Sequence, residues 1–322
     1  MLIISPNELI LGLALMSSMI NRIKEEMKKV VVGQEQMVDG LLIGMLTGGH
    51  VLLEGVPGLA KTTTVNTLAK AFDLNFKRVQ FTPDLLPSDI IGTEVYDPAK
   101  NEFRIKQGPI FTNILLADEI NRAPAKVQSA LLEVMAERQA TIGDETFKIE
   151  KPFLVLATQN PVEQEGVYSL PEAQLDRFML KITVGYNTKH EELEIARRVA
   201  NNSFGEINAV ASKAELEEMR KAVQDVHIDP ELEQYIIDLI FATRASHEHL
   251  QYGASPRASI DLFKGAKAIA YMNDKDFVSP SDIAKASKSI LRHRLILSYE
   301  GEAAGVNVDD IISNIISEVA IP

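Results

Sequence analysis

The chain has no cysteine among its 322 residues. Disulfides, thiol catalysis and zinc–thiolate centres are thereby excluded. Positive charge is scarce as well: 33 Lys and Arg face 45 Asp and Glu, a formal net charge of −12, and the sequence pI is near 5.1. Proteins that hold a phosphate backbone usually carry net positive charge or a basic stripe, so this balance argues against nucleic acid as a partner. Long apolar runs are also missing. The longest uncharged apolar segment, Leu9 to Ile20, is roughly half the ~20 residues that a membrane span requires. No Lys or Arg precedes it, as a signal peptide would need. It reads as an N-terminal amphipathic helix running on into Asn21-Arg22-Ile23-Lys24, and the expected location is the cytoplasm. Nor is there a histidine cluster. His247 and His249 stand two apart on an expected helix, so they face different directions and make a poor metal site. No G-x-S-x-G nucleophile motif occurs.

What is present is ordinary soluble composition, 46% hydrophobic and 24% charged, in a chain long enough for two domains. Up to residue 186, β-rich runs alternate with helical patterns. Val51–Leu53, Phe76–Phe81, Ile114–Ala117, Phe153–Thr158 and Phe178–Val184 read as strands, and Lys61–Phe72 and Ala125–Arg138 as helices. That alternation predicts an α/β domain with a parallel sheet covered on both faces. From residue 187 to 322 the pattern turns helical: His190–Asn201, Lys213–Gln224, Pro230–His247, Pro256–Tyr271 and Pro280–Arg292. Ser255-Pro256 and Ser279-Pro280 place a hydroxyl at N-cap and proline at N1. A smaller all-helical domain is expected there, joined near Gly185–Lys189. The KEEMKK run at 24–29 reads as a solvated helix face, with Glu25 and Lys29 at i,i+4.

Two chemical signals stand out in the first domain. The segment EGVPGLAKTTT, 54–64, lies between the Val51 strand and the Lys61 helix. Gly55, Val56, Pro57, Gly58, Leu59 and Ala60 form a loop whose backbone N–H groups, with the helix N-terminus, can cradle phosphates. Lys61 then reaches the β- and γ-phosphates, the Thr62 hydroxyl holds Mg²⁺, and Thr63 follows on the same turn. Ala60 stands where the pattern G-x-x-x-x-G-K-[ST] has its last glycine, so an ordinary strand–turn–helix link is the competing reading. The second signal is NILLADEINRAP, 113–124, where a buried run ends in Asp118-Glu119. Two carboxylates there are costly unless compensated. Asp118 facing Mg²⁺ opposite Thr62, and Glu119 polarising a water as general base, supply the compensation. Asn160, at the end of LVLATQNP, falls at the same edge of the sheet, where ligands of open α/β sheets gather.

With these motifs in order, the sequence resembles an AAA+ ATPase, and closely the MoxR family. VVVGQEQMVDGLLIGMLTGGHVLLEGVPGLAKT, LLADEINRAPAKVQSALLEVMAERQ, ATQNPVEQEGVYSLPEAQLDRF and YGASPRAS carry the likeness over roughly residues 20 to 300. Ala60 is typical of that family. The resemblance implies a P-loop NTPase sheet flanked by helices, followed by a helical lid. It places Gly33 and Gln34 near the adenine and makes Asn160 the sensor-1 residue. Arg177 becomes an arginine finger toward a neighbouring subunit, and Arg257 in the lid becomes sensor 2. Arg122 is a second candidate for a cross-subunit contact.

The same resemblance implies Mg²⁺-ATP hydrolysis and a homo-oligomeric ring, a hexamer by likeness. The client would be a protein matured by remodelling or cofactor insertion, with a von Willebrand factor A-domain protein as the suggested partner. Two β-hairpins, Glu94–Lys106 around Pro98-Ala99-Lys100-Asn101 and Gln139–Lys151 around IGDET, are expected to project from the sheet. Neither is basic enough to track DNA, which favours a protein client. Two other readings stay open: a nucleotide-gated regulatory module without significant turnover, and a nucleic-acid-acting relative.

Overall fold

Short β-rich runs of four to six residues, bounded by polar turns, become the strands of one sheet. The computed structural model describes residues 19–161, 167–245 and 248–322. Leu9–Ser18 of the expected N-terminal helix, and His247 of the expected histidine pair, lie outside them. The α/β part runs as follows: a helix over 19–28 (α1), α2 (Glu35–Thr47), β1 (Val51–Glu54), α3 (Lys61–Ala71), β2 (Phe76–Gln80), α4 (Pro87–Ile91), β3 (Gly92–Asp97), β4 (Glu102–Gln107), β5 (Ile114–Asp118), α5 (Ala125–Glu137), β6 (Gln139–Ile142), β7 (Glu145–Lys148), β8 (Leu154–Gln159), α6 (Glu172–Leu175) and β9 (Leu180–Thr183). The rest comprises α7 (Lys189–Ala200), α8 (Lys213–Asp225), α9 (Pro230–Arg244), β10 (Leu250–Tyr252), α10 (Pro256–Met272), α11 (Pro280–Leu291), β11 (Ile296–Leu297), α12 (Tyr299–Ala303) and α13 (Val308–Glu318).

The five-stranded sheet has the order β2-β5-β8-β1-β9. Every pairing in it is parallel. Because alternate side chains leave a strand on opposite faces, each strand serves two cores. Val51, Leu53, Leu116 and Leu156 join α2, α3 and the C-terminal helices in one apolar cluster. Leu52, Leu115, Val155 and Ala157 join α5 in a second. The central strands β1, β5 and β8 are therefore near-continuously apolar rather than alternating, as parallel strands covered on both faces must be. A Cβ at residue 40 would lie 2.1 Å from Ile182 Cδ1, so glycine lets α2 approach β9 without moving the Ile182 side chain.

Both expected hairpins form, as the antiparallel pairs β3–β4 and β6–β7. The C-terminal region departs from the all-helical expectation in one respect. Leu250–Tyr252 and Ile296–Leu297 pair as a short antiparallel ribbon. Two- and three-residue strands carry too little pattern to be read in advance. Within the 24–29 run, Glu25 pairs with Lys28 and Glu26 with Lys29, each at i,i+3 and 2.7 Å, instead of the expected Glu25–Lys29 contact. No helix among the described residues is long and apolar enough to cross a membrane.

His50, at the foot of β1, makes this core sensitive to pH. It is buried, its Nδ1 accepts the Val155 N–H at 2.9 Å, and its Nε2–H donates to the Met135 carbonyl at 3.2 Å. Burial pushes its pKa from 6.5 to about 4. The unfolded chain takes up this proton as pH falls through 6.5, while the folded chain refuses it until about 4, so the stability His50 confers is complete above 6.5 and lost across that window. At about 1.4 kcal/mol per pH unit, the loss reaches about 3 kcal/mol. Buried His293, also depressed by burial first and by Arg294 second, acts in the same direction. Urea unfolding is expected to show a lower midpoint at pH 5 than at pH 7.5, with a shallower dependence in His50→Gln.

Candidate functional site

A cavity of 790 Å³ opens at the carboxyl ends of β1, β5 and β8, between the sheet and α7. Pro57 through Thr63 form one wall, with Arg78, Gln80, Asp118, Glu119, Thr158 and Asn160 beside them. Sequence reasoning placed Lys61, Thr62, Asp118, Glu119 and Asn160 at one point, and all five line this cavity.

The loop from Gly55 to Ala60 has the geometry of an anion cradle. Gly58 has φ 87, and a Cβ built there would meet nothing within 4 Å, so the loop's outer side is open. The N–H groups of Lys61, Thr62 and Thr63, in the first turn of α3, have no intrahelical carbonyl to donate to and present open donors to the cavity. Ala60 is left-handed, with φ 55 and ψ 19. The usual glycine is gone, but its conformation is kept.

Lys61 Nζ donates to the Gly55 carbonyl at 2.5 Å. Half-buried, its ammonium has a pKa lowered chiefly by desolvation, against which Asp118 and Glu119 pull upward. A cation short of water beside open N–H donors is a site built for an anion.

The acidic pair is held by neighbours that sequence reasoning missed. Asp118 Oδ1 accepts the Thr158 hydroxyl at 2.6 Å, and Oδ2 accepts Arg78 Nε at 2.9 Å and Nη2 at 2.6 Å. Thr158 Oγ1 in turn accepts the Glu119 N–H at 2.8 Å. Glu119 itself is left-handed at φ 56, a strained conformation for a non-glycine residue and one that concentrates at functional sites. Gln80 Nε2 donates to Glu119 Oε2 at 2.8 Å, and Arg122 Nε stands 3.1 Å from the same oxygen. Arg122, expected as a cross-subunit candidate, thus pairs within its own chain. Arg78 and Gln80 alternate with Val79 and Phe81, so period-two spacing puts both on one face of β2, but only strand order brings that face to the acidic pair. Thr158 stands two residues before Asn160 on β8, by the same rule.

The far end of the cavity is apolar, lined by Val30, Val32, Ile195, Val199 and Phe204. No residue of α7 is fully buried, although the helix carries Leu193, Ile195 and Val199. Gly33 and Gln34, expected beside a base, are not part of this lining. Gln34 Nε2 instead donates to the Gly185 carbonyl and Asn187 Oδ1, at 3.0 and 2.6 Å. Gly33 packs under the Glu191 carboxylate. Both fasten the joint to α7, and the apolar contacts come from residues just before them.

Arg177 and Arg257 do not enter this cavity. Both are exposed. Arg177 Nη1 donates to the Leu132 carbonyl on α5 at 2.9 Å, and Arg257 Nη1 to the Asp176 carbonyl at 3.0 Å.

Comparison with known proteins bears on this geometry. Residues 50–180 match the ATPase family associated with various cellular activities (AAA), and residues 242–315 match the AAA lid domain. Chaperone MoxR1 of Mycobacterium tuberculosis is 44% identical over 97% of this chain and 84% of its own length. Protein MoxR of Paracoccus denitrificans is 31% identical over 84% of this chain and 86% of its own. The crystal structure of an ATPase candidate from Cytophaga hutchinsonii superposes with a TM-score of 0.91 at 54% identity, covering 96% of this chain and 97% of that one.

Proposed function

The chain belongs to the MoxR family of AAA+ ATPases, and from that premise we propose that it binds and hydrolyses Mg²⁺-ATP to remodel a protein client. One observation carries the reading. Open backbone donors, a desolvated lysine and a carboxylate pair converge on one cavity that has an apolar far end. Polyphosphate suits the first half and an adenine ring the second.

Within the cavity, the N–H groups of Gly58 to Thr63 bind phosphate oxygens, and Lys61 leaves the Gly55 carbonyl to meet the β- and γ-phosphates. The Thr62 hydroxyl and Asp118 carboxylate are hard oxygen donors of the kind Mg²⁺ takes. When bound there, the ion neutralises charge on the phosphate oxygens. Val30, Val32 and Phe204 exclude water from the base. Glu119 accepts the proton of the attacking water, and Asn160, at the end of β8, orients that water or the γ-phosphate. Arg177 and Arg257, exposed and outside their own chain's cavity, are disposed to reach a neighbour's nucleotide, which supports a ring, a hexamer by family likeness.

An arginine supplied in trans is worth on the order of 10³–10⁵ in rate. Phosphate release per subunit is therefore expected to rise steeply with protein concentration as rings assemble, and to vanish with EDTA. A specific rate independent of concentration would contradict the ring. The first hairpin offers the client surface. Tyr96 and Phe103 face each other across β3–β4 with centroids 5.3 Å apart, and both are exposed. The partner is then a protein, with a von Willebrand factor A domain the suggested class.

A second reading has its own support. Gln80 and Arg122 both hold Glu119 Oε2, which suits a nucleotide-gated module that seldom turns over. Measurable Glu119-dependent hydrolysis would dispose of it.

A further inference from the structure

A dense polar network lies outside the cavity at Lys61 and Asp118, around the buried guanidinium of Arg294. Its side chain is 1% exposed. Nε donates to Asp176 Oδ1 at 2.7 Å, and Nη1 to the carbonyls of Ile290 at 2.8 Å and Met179 at 3.3 Å. Nη2 donates to Asp261 Oδ2 at 2.6 Å and to the carbonyls of Phe178 at 2.9 Å and Asp176 at 3.3 Å. Asp261 lies on α10 and Ile290 on α11, both of the lid. Asp176, Phe178 and Met179 lie on the strip between α6 and β9. One planar fork therefore joins the lid to the strip.

That strip carries Arg177. Its neighbour Asp176 is also where the other exposed arginine converges. Ser255, the N-cap of α10, donates its hydroxyl to both Asp176 carboxylate oxygens at 3.0 Å. The same hydroxyl accepts the Arg257 N–H at 3.2 Å. The Arg257 guanidinium stands 3.7 Å from Asp176 Oδ2 and bonds the Asp176 carbonyl. His293 reinforces the joint through a 2.9 Å bond from Nε2–H to the Phe178 carbonyl. Asp176 thus ties Arg257 into one frame, the chain carries Arg177 directly after it with its guanidinium on the Leu132 carbonyl, and Arg294 fixes that frame to the lid.

We infer that Arg294, with Asp176, is a positioning residue that couples lid orientation to the placement of Arg177 and Arg257, so that a subunit's lid sets how well it serves its neighbour's nucleotide. The inference rests on the reading of Arg177 as a group acting in trans. A surface salt bridge would leave lid and strip free to move apart. A buried, planar, many-donor anchor keeps them in one geometry, and lysine, with three donors on a flexible stem, cannot reproduce it.

The test measures ATP turnover, nucleotide affinity and ring mass for Arg294→Lys, Asp176→Asn and Arg177→Lys, singly and with Arg294→Lys and Arg177→Lys combined. Arg294→Lys is expected to keep ring mass, and its ATP Kd and KM within about threefold of native, while kcat falls tenfold or more. Combined with Arg177→Lys it should add little, because it acts through that residue. A purely structural role would appear as a lower melting temperature or lost rings, with native kcat per assembled ring and losses that multiply. If Arg294→Lys does not assemble, Asp176→Asn carries the same expectations. Native kcat in assembled Arg294→Lys or Asp176→Asn rings, beside a crippled Arg177→Lys, overturns the coupling alone. Native kcat in Arg177→Lys overturns the trans reading and the coupling with it.

Discussion

Glu119→Gln is expected to lower steady-state ATP hydrolysis by about 10²- to 10⁴-fold, the usual contribution of a positioned general base, while Mg²⁺-ATP affinity stays within a fewfold. The geometry explains why the two quantities separate. Glu119 follows β5 in a left-handed conformation and lines the cavity outside the 55–60 loop. Its Oε2 is occupied by Gln80 and Arg122. A glutamine side chain has the same length, and its carbonyl can accept both bonds. The negative charge beside Arg122 is lost, and with it the ability to take a proton. Asp118, which keeps its bonds to Thr158 and Arg78, is untouched. Phosphate release under saturating ATP, beside equilibrium binding on the same protein, checks the prediction. Equal rates in the two proteins would leave the site a nucleotide-gated module.

Much of this arrangement was legible in the sequence, for identifiable reasons. Ile114–Ala117 could only be a strand buried on both faces, because four consecutive apolar residues end in two carboxylates. The loop at 55–60 announced itself through glycines followed by a lysine and hydroxyls at a helix start. Hairpin turns at 98–101 and 143–144 were visible as breaks between β-rich runs, and Gly143, at φ 59, supplies the second. Other features were closed to such reading. Arg78 is one charged residue in a half-exposed edge strand, and nothing local says that β2 lies beside β5 with Gln80 opposite Asp118. That depends on strand order, a tertiary property. Val30 and Phe204 stand far apart in sequence, and their approach needs α7 folded back over α1. Arg177 and Arg257 each look like ordinary surface arginines. Only the bonding of Arg257 to Asp176, the residue just before Arg177, shows them as neighbours. Gly33 and Gln34 mark the other limit. The expectation placed them beside a base; in the structure Gln34 bonds Gly185 and Asn187, Gly33 lies against Glu191, and Val30 and Val32, just before them, line the cavity.

Lys61→Ala has the second large expected effect, and it acts on binding. The ammonium sits half-buried, its pKa lowered by desolvation despite two nearby carboxylates. Its present partner is a single backbone carbonyl, Gly55 O. A polyphosphate would give it formal negative charge in a site already short of water, and removing one member of such a pair costs about 2–5 kcal/mol. That corresponds to roughly 30- to 5,000-fold in Kd. The fold has little stake in this side chain, since α3 begins with its own backbone bonds and its apolar face rests on Val65, Leu68 and Ala69. Thermal unfolding of Lys61→Ala is expected to stay near native, so lost affinity would not be lost structure.

The most direct measurement is calorimetric titration of Mg²⁺-ATP into native protein and Lys61→Ala side by side. The native chain is expected to bind one nucleotide per subunit with an affinity that the variant loses by at least thirtyfold. No heat of binding to native protein, or equal affinity in the two, would mean that the cavity at Lys61, Thr62 and Asp118 is not where a nucleotide is held.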